Sequence, residues 1–302
     1  MCNALVGTAI GDALGVPFET SLINNPDLLK WDGQTYIGSK YHKLKPTQYS
    51  DDTQMSLMVA ESLIKNGGFN PDDLSSRYVE WIFSGEARGY GKTTLAALTS
   101  IKNGTHWSES GIAGSLGNGT AMRAAPFGVY YRNELSVLIS AIKIDSAITH
   151  VSEDAEAGAL AIGITTAFAA NHDTADLLGR LHGFLPDCKL KKTIYSLDSL
   201  LNDNVTPAQA LRLLGTKANV QETVPSALYC FLKFDNYHDA IETAIRAGGD
   251  TDTTAAIVGA MFGAQNGLAG IDKKFYKVEN FDRLVALDRQ LFDKSNLMFF
   301  PR

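Results

Sequence analysis

The sequence predicts an all-α fold, and three observations carry that reading. Apolar residues recur at helical spacing along almost the whole of the 302-residue chain. Period-2 alternation is absent apart from a short stretch at Gly128 to Tyr131. The breaks between apolar runs carry helix punctuation, such as Asn70-Pro71-Asp72 and Thr206-Pro207 at starts and Gly67-Gly68 at a stop.

The first element holds Gly7, Gly11 and Gly15, which a helix would place along one tightly packed face. Asp12 lies in the same apolar stretch, and a buried carboxylate there needs a partner. Glu19, just past Pro17, is placed to reach a nearby site. Residues 21 to 49 form the longest stretch without periodicity, and a loop of that length is usually functional or mobile. The next helix runs through Met55, Leu57, Met58, Ala60, Leu63 and Ile64, opened by Asp51-Asp52 and closed at Gly67-Gly68. Arg88 to Thr94 resembles the end of a phosphate-binding P-loop. The required earlier glycine is replaced by Glu86 and no buried strand precedes it, so a nucleotide triphosphatase is excluded. Gly117 to Arg123 reads as a loop entering a helix. Apolar periodicity then marks helices over Leu135 to Ile148, Ala155 to Phe168, Ala175 to Leu185, Ala208 to Leu214, Val224 to Phe234 and Ala240 to Ala247. The last, Thr253 to Phe262, is rich in Ala and Gly, which lets neighbouring helices approach closely. No linker divides the chain, so residues 1 to 302 are expected to form one domain.

Composition narrows the function classes. A formal net charge of -6 with no basic arm argues against a nucleic-acid partner. No run of 18 apolar residues implies a membrane span, and no signal peptide is evident. Cys2, Cys188 and Cys230 are too few and scattered for a disulfide framework, which points to a reducing, cytoplasmic setting. The histidines show no zinc-ligand spacing, and no G-x-S-x-G marks a serine nucleophile.

The chemistry begins at an internal echo. Ser50-Asp51-Asp52-Thr53 and Asp250-Thr251-Asp252-Thr253 each open an apolar helix, the second after Gly248-Gly249. Acids and hydroxyls at a helix start are ordinary caps. A cap needs one carboxylate, however, and both clusters carry two. If the two starts face each other, their carboxylates and hydroxyls suit hard divalent cations such as Mg²⁺ or Mn²⁺. The Gly117 to Thr120 turn could present backbone N–H groups to an anion, a diphosphate for example, although Asn118-Gly119 is above all a turn signal. Arg123 could pair with phosphate or with an internal acid. His150, alone after Thr149 at a helix end, fits a structural role or a catalytic one.

The ordered motifs G-D-A-L-G-x-P-x-E (Gly11 to Glu19), S-D-D-T (Ser50 to Thr53), G-Y-G-K-T-T (Gly89 to Thr94), G-N-G-x-x-M-R (Gly117 to Arg123), T-H (Thr149, His150) and G-G-D-T-D-T resemble those of the ADP-ribosylglycohydrolases, from about residue 3 to residue 270. That resemblance implies a compact orthogonal bundle of helices with two Mg²⁺ or Mn²⁺ ions. It implies Ser50, Asp51, Asp52, Asp250, Asp252 and Thr253 as metal ligands, and Glu19, Asp52 and Asp250 as the catalytic carboxylates. It places Gly117, Asn118, Gly119, Thr120, Met122 and His150 against the substrate. The implied reaction releases ADP-ribose from a modified protein or a small conjugate, with arginine-linked acceptors slightly preferred over serine-linked ones. Some arginine-specific members carry an acid in the loop matching Arg88 to Gly91, where the nearest acid here is Glu86. A free ADP-ribose derivative or nucleoside as substrate, and a non-catalytic ADP-ribose-binding role, are the alternatives.

Overall fold

The computed structural model describes residues 2–19, 28 and 30–297 of the chain. Part of the aperiodic stretch at 21 to 49 therefore lies outside the described residues. Helices dominate the rest, as the periodicity requires.

Three helices are apolar on every side and make the centre: α1 (Ala4–Gly15), α7 (Glu153–Ala170) beyond its acidic first turn, and α14 (Thr251–Asn266). A helix without a polar face has to be surrounded by others, and these are. To name those others, the chain continues from α1 through α2 (Asp51–Asn66), α3 (Pro71–Ile82), α4 (Lys92–Lys102), α5 (Ala125–Tyr130) and α6 (Leu135–Thr149) to α7. Beyond α7 come short α8 (Leu177–His182), α9 (Lys189–Tyr195), α10 (Leu197–Asn202) and α11 (Pro207–Leu214), then α12 (Val220–Lys233), α13 (Tyr237–Arg246), α14 and α15 (Phe281–Leu297). Helices α7, α12 and α13 pack on α14, while α2 and α15 pack on α1.

The pair α1–α14 sets the geometry of everything else. A β-carbon added to Gly7, Gly11 or Gly15 would collide with the backbone carbonyl of Gly259, Ala255 or Thr251 respectively. The order of those partners makes the helices antiparallel, with backbones in direct contact. The end of α1 is thereby pinned at the start of α14, and the Thr251 hydroxyl donates to the Gly15 carbonyl at 2.8 Å.

Punctuation behaves as read. Asn70 caps α3 at the Asp73 amide, Thr206 and Gln209 form a reciprocal capping box on α11, and Gly67 closes α2 with a left-handed φ of 66°. Four departures are informative. Gly128 to Tyr131 is no strand, because Pro126 starts α5 there and Gly128 packs against the Gly163 carbonyl of α7. The helix expected at Ala175 to Leu185 contracts to α8 (Leu177–His182), entered through Asp176 in the left-handed region at φ 48°. Helices α4, α9 and α10 lacked a clear enough apolar face to be read. So did α15, because a carboxylate, Asp288, stands on its buried side and accepts the free α1 amides of Leu5 at 2.9 Å and Val6 at 3.1 Å. Finally, two-residue strands β1 (Ile112–Ala113) and β2 (His150–Val151) pair in parallel, Ile112 opposite His150, and hold that histidine beside the turn at Gly117.

Candidate functional site

The starts of α2 and α14 meet at the end of α1. Asp12, the carboxylate without an obvious partner in the sequence, supplies the join. Its Oδ1 accepts the Ser50 amide at 2.9 Å, and its Oδ2 accepts the Thr53 amide at 3.1 Å and hydroxyl at 2.7 Å. Asp12 thus satisfies orphan N–H groups at the head of α2, and the Ser50 hydroxyl accepts from the Asp52 amide at 3.3 Å. The Asp52 side chain takes no part in capping α2. At α14 the N-cap Asp250 makes no side-chain capping bond. There Asp252 Oδ1 accepts the Thr253 amide at 2.9 Å, so the acids surplus to capping are Asp52 at α2 and Asp250 at α14.

What they face is each other. The Thr253 hydroxyl on α14 donates to Asp52 Oδ2 at 3.3 Å, and the Ser50 hydroxyl reaches the same oxygen at 3.0 Å. Asn118, from the turn before α5, donates to Asp250 Oδ2 and to the Thr223 hydroxyl, so the turn is anchored to the acid. The Asp250 amide donates to the Thr216 carbonyl at 2.7 Å. Asp51, Asp52, Asp250 and Asp252 are all buried.

Burial first, then the charges of Asp12, Glu19 and Asp250, hold the Asp51 carboxyl well above the usual range. Burial and the charges of Asp12, Asp51 and Asp250 do the same to Asp52. Burial and Glu19, ahead of Asp250 and Asp52, raise Asp252. Asp250 is pushed up to about 6 by burial and Glu19, against the opposing bonds from its neighbours. Buried acids crowded in this way are stabilised by cations. Asp52 Oδ1 is buried and has no hydrogen-bond partner among the described residues. A partnerless carboxylate oxygen among three further carboxylates and two hydroxyls is a hard-oxygen donor set, and a divalent cation fits it.

At the mouth, Glu19 is hydrogen-bonded to His42, and Glu19, His42 and Asp252 offer ligand atoms within 4.8 Å of one another. His42 is the site residue that the sequence reading missed. It sits in the aperiodic stretch, where its only signal was the length of the loop. Gly89 closes the same corner, since a β-carbon there would lie 3.0 Å from Asp51 Oδ1 and 3.7 Å from His42 Nδ1. Arg88 fixes that loop through Glu279, the Tyr49 carbonyl and its own amide on Gln54.

The expected substrate residues divide. Gly117, Asn118, Gly119 and His150 come together: a β-carbon on Gly117 would lie 3.0 Å from His150 Nε2, and one on Gly119 3.0 Å from Cε1. The amides of Gly117 to Thr120 donate to no protein acceptor among the described residues. Thr120 turns its hydroxyl to the Ala155 carbonyl at 3.1 Å, so it offers an amide and no side chain. Met122 offers neither, because its side chain is in the hydrophobic core and its amide donates to the Asn118 carbonyl. Arg123 takes the internal partner, donating to Asp145 Oδ2 at 2.8 Å.

Comparison with known proteins bears on the family and the fold. The family model described as ADP-ribosylglycohydrolase matches residues 1–298. The chain is 28% identical over 299 residues to the ADP-ribosylarginine hydrolase Tri1 of Serratia proteamaculans, covering 96% of this chain and 78% of that one. It is 26% identical over 343 residues to the human ADP-ribosylhydrolase ARH3, covering 97% and 93%. A solved structure described as an ADP-ribosylglycohydrolase-related protein complex superimposes with a TM-score of 0.78 at 25% identity, covering 97% of this chain and 96% of that one.

Proposed function

The chain belongs to the ADP-ribosylglycohydrolase family, and from that premise we propose that this hydrolase cleaves the glycosidic bond between ADP-ribose and an acceptor, arginine-linked before serine-linked. The observation that carries the reading is the meeting of two acidic helix starts, each with an acid, Asp52 or Asp250, whose side chain caps neither helix. The acceptor preference draws on the name of the Serratia relative.

In this reading Ser50, Asp51, Asp52, Asp250, Asp252 and Thr253 hold two Mg²⁺ or Mn²⁺ ions. Bound there, the ions would supply charge for orienting the ribose hydroxyls and for lowering the pKa of water. The protein's own contribution is threefold. The Gly117 to Thr120 amides take the diphosphate and so fix where the ribose lies. Asn118 bridges that turn to Asp250, coupling the substrate's position to the acids. Glu19, held by His42, stands at the mouth to accept a proton from the attacking water, with Asp52 and Asp250 as the alternative bases. As the acceptor leaves, positive charge develops at C1 of the ribose, and the surrounding carboxylates stabilise it.

The same proposal treats the chain as one domain acting in the cytoplasm. One connected hydrophobic cluster from Cys2 to Leu291 supports the first part, and three free, buried cysteines support the second. Among the described residues no helix is long and apolar enough to cross a membrane.

The test is ADP-ribose release from an arginine-linked and a serine-linked peptide, with Mg²⁺ or Mn²⁺ and again with EDTA. Release from the arginine-linked peptide that EDTA abolishes is expected. Release unchanged by EDTA would overturn the metal assignment. No release from either peptide by folded, metal-loaded protein would overturn the reaction on modified peptides and leave a free ADP-ribose conjugate as the substrate to try.

A further inference from the structure

His150 is buried at 3% exposure, and among the described residues its ring has one hydrogen-bond partner, the Thr149 hydroxyl, which lies 2.8 Å from Nδ1. That hydroxyl has another neighbour: Arg123 Nη2 donates to it at 2.9 Å. Arg123 is itself fully buried and locked. Its Nε donates to Asp145 Oδ2 at 2.8 Å, its Nη2 to the Asp145 carbonyl at 3.0 Å, and its Nη1 to the Gly119 carbonyl at 3.2 Å. Tyr78 completes the group, donating to Asp145 Oδ1 at 3.0 Å.

Counting protons along this chain fixes the histidine. A guanidinium only donates, so Thr149 Oγ receives from Arg123 and its own hydrogen needs an acceptor. Among the described residues the remaining group within hydrogen-bond distance of that hydroxyl is His150 Nδ1. Were Nδ1 protonated, the buried hydroxyl would receive two donors and leave its hydrogen unmatched, which costs free energy. Burial, and then the Arg123 charge, push the imidazolium down to about 3, so the ring carries a single proton at neutral pH. That proton belongs on Nε2, the edge that faces Gly117 and Gly119.

We propose that Asp145, Arg123 and Thr149 form a positioning relay that holds His150 as the neutral Nε2–H tautomer, a hydrogen-bond donor aimed into the Gly117–Gly119 turn for a phosphoryl oxygen of the substrate. The ligand part rests on the ADP-ribosyl reading above, whereas the tautomer rests on the protein alone. The same arginine ties the Gly119 carbonyl to Asp145, so the turn's amides and the histidine donor are set in register by one side chain. No acid–base role at the reacting bond follows for His150, because a ring held neutral with its Nδ1 occupied serves as a fixed donor.

Long-range ¹H–¹⁵N correlation on protein labelled with ¹⁵N-histidine reads the tautomer directly, with His150 assigned by the loss of its signals in His150→Gln. A protonated Nε2 with a bare Nδ1 is expected. A protonated Nδ1 in the wild type would overturn the relay, whatever the activity. Thr149→Val is expected to release the tautomer to a mixture, and Thr149→Ser to restore it. An unchanged tautomer in Thr149→Val would also overturn the relay. For the ligand, His150→Ala should weaken ADP-ribose binding by calorimetry about tenfold, the loss expected of one hydrogen bond to a charged oxygen, and Thr149→Val about twofold, in proportion to the Nε2–H share of an even mixture. In His150→Ala KM should rise while kcat changes little, since the contact is remote from the bond that breaks. If the tautomer responds as stated but wild-type protein binds no ADP-ribose, the proposed function fails and the relay stands. If ADP-ribose binds equally to wild type and His150→Ala, the phosphoryl-donor role fails.

Discussion

At the scale of single residues, roles follow from where each hydrogen bond goes. Asp250 is buried, crowded by acids and held by Asn118, and its backbone carbonyl accepts the Thr254 hydroxyl at the start of its own helix. Asp250→Ala is expected to abolish binding of at least one metal ion and to lower kcat by at least about a hundredfold, the scale of losing a group at a metal centre. Metal content and turnover check it, and near-normal turnover in a folded, metal-replete variant would remove Asp250 from the centre. Asp12 makes no bond to the other acids yet shapes the head of α2. Asp12→Ala leaves two amides and a hydroxyl unpaired, so a loss of about 2–4 kcal/mol of stability is expected in denaturant titration, with weakened metal affinity beside it. The acids were legible because their doubling exceeds what a cap needs. Asp12 was legible as a carboxylate out of place, although its partner, 38 positions away, was not. His42 was illegible because nothing local distinguishes a histidine in an aperiodic loop from one on a surface.

At the scale of elements, the α1–α14 pair matters most. Spacing of Gly7, Gly11 and Gly15 gave the tight face, and small residues in α14 suggested an answering surface, but sequence periodicity cannot say which helix answers which. Gly11→Ala would drive a methyl into the Ala255 carbonyl, where both sides are rigid backbone. A cost of about 1–3 kcal/mol is expected, read as a lower midpoint in chemical denaturation. Because the contact also sets the distance between Glu19 and Asp252, metal affinity should fall in the same variant. Full metal affinity there would separate the helix contact from the site. Helix α15 marks the limit of periodicity: Asp288 is polar by composition and core by position, and only the α1 amides it accepts explain it.

At the scale of the whole molecule, stability and pH are linked through the buried acids. Asp250 titrates at about 6 and Asp288 at about 7 in the folded protein, both raised by burial from an exposed aspartate's 3.8. Between 3.8 and those values the folded state keeps protons that the unfolded chain has lost. Stability therefore falls as pH rises through the window. A cation displaces protons from the site acids and leaves Asp288 alone. The melting temperature of EDTA-treated protein is expected to fall from pH 5 to pH 8, and added Mg²⁺ or Mn²⁺ to raise it more at pH 8 than at pH 5. A metal-induced rise as large at pH 5 would show that the site acids are already ionised there. The all-α class was legible in full, since it needs only periodicity and punctuation. The assembled site was not, because it depends on contacts between distant segments.

One of those contacts has a bearing on how the protein is made. The glycine face of α1 finds its partner only at residues 251 to 263, so it leaves the ribosome long before its answering surface exists. Asp12 has its partners, Ser50 and Thr53, early, but the glycine face must wait, exposed, until most of the chain has been synthesised. Such long-range closure slows folding and lengthens the exposure of unpaired apolar surface. A chain released early, before Thr251, would contain Asp51 and Asp52 but lack their opposing half, and would hold neither a finished core nor a finished centre. Activity in this architecture is a property that the nascent chain acquires only once Asp250 to Thr253 have been made.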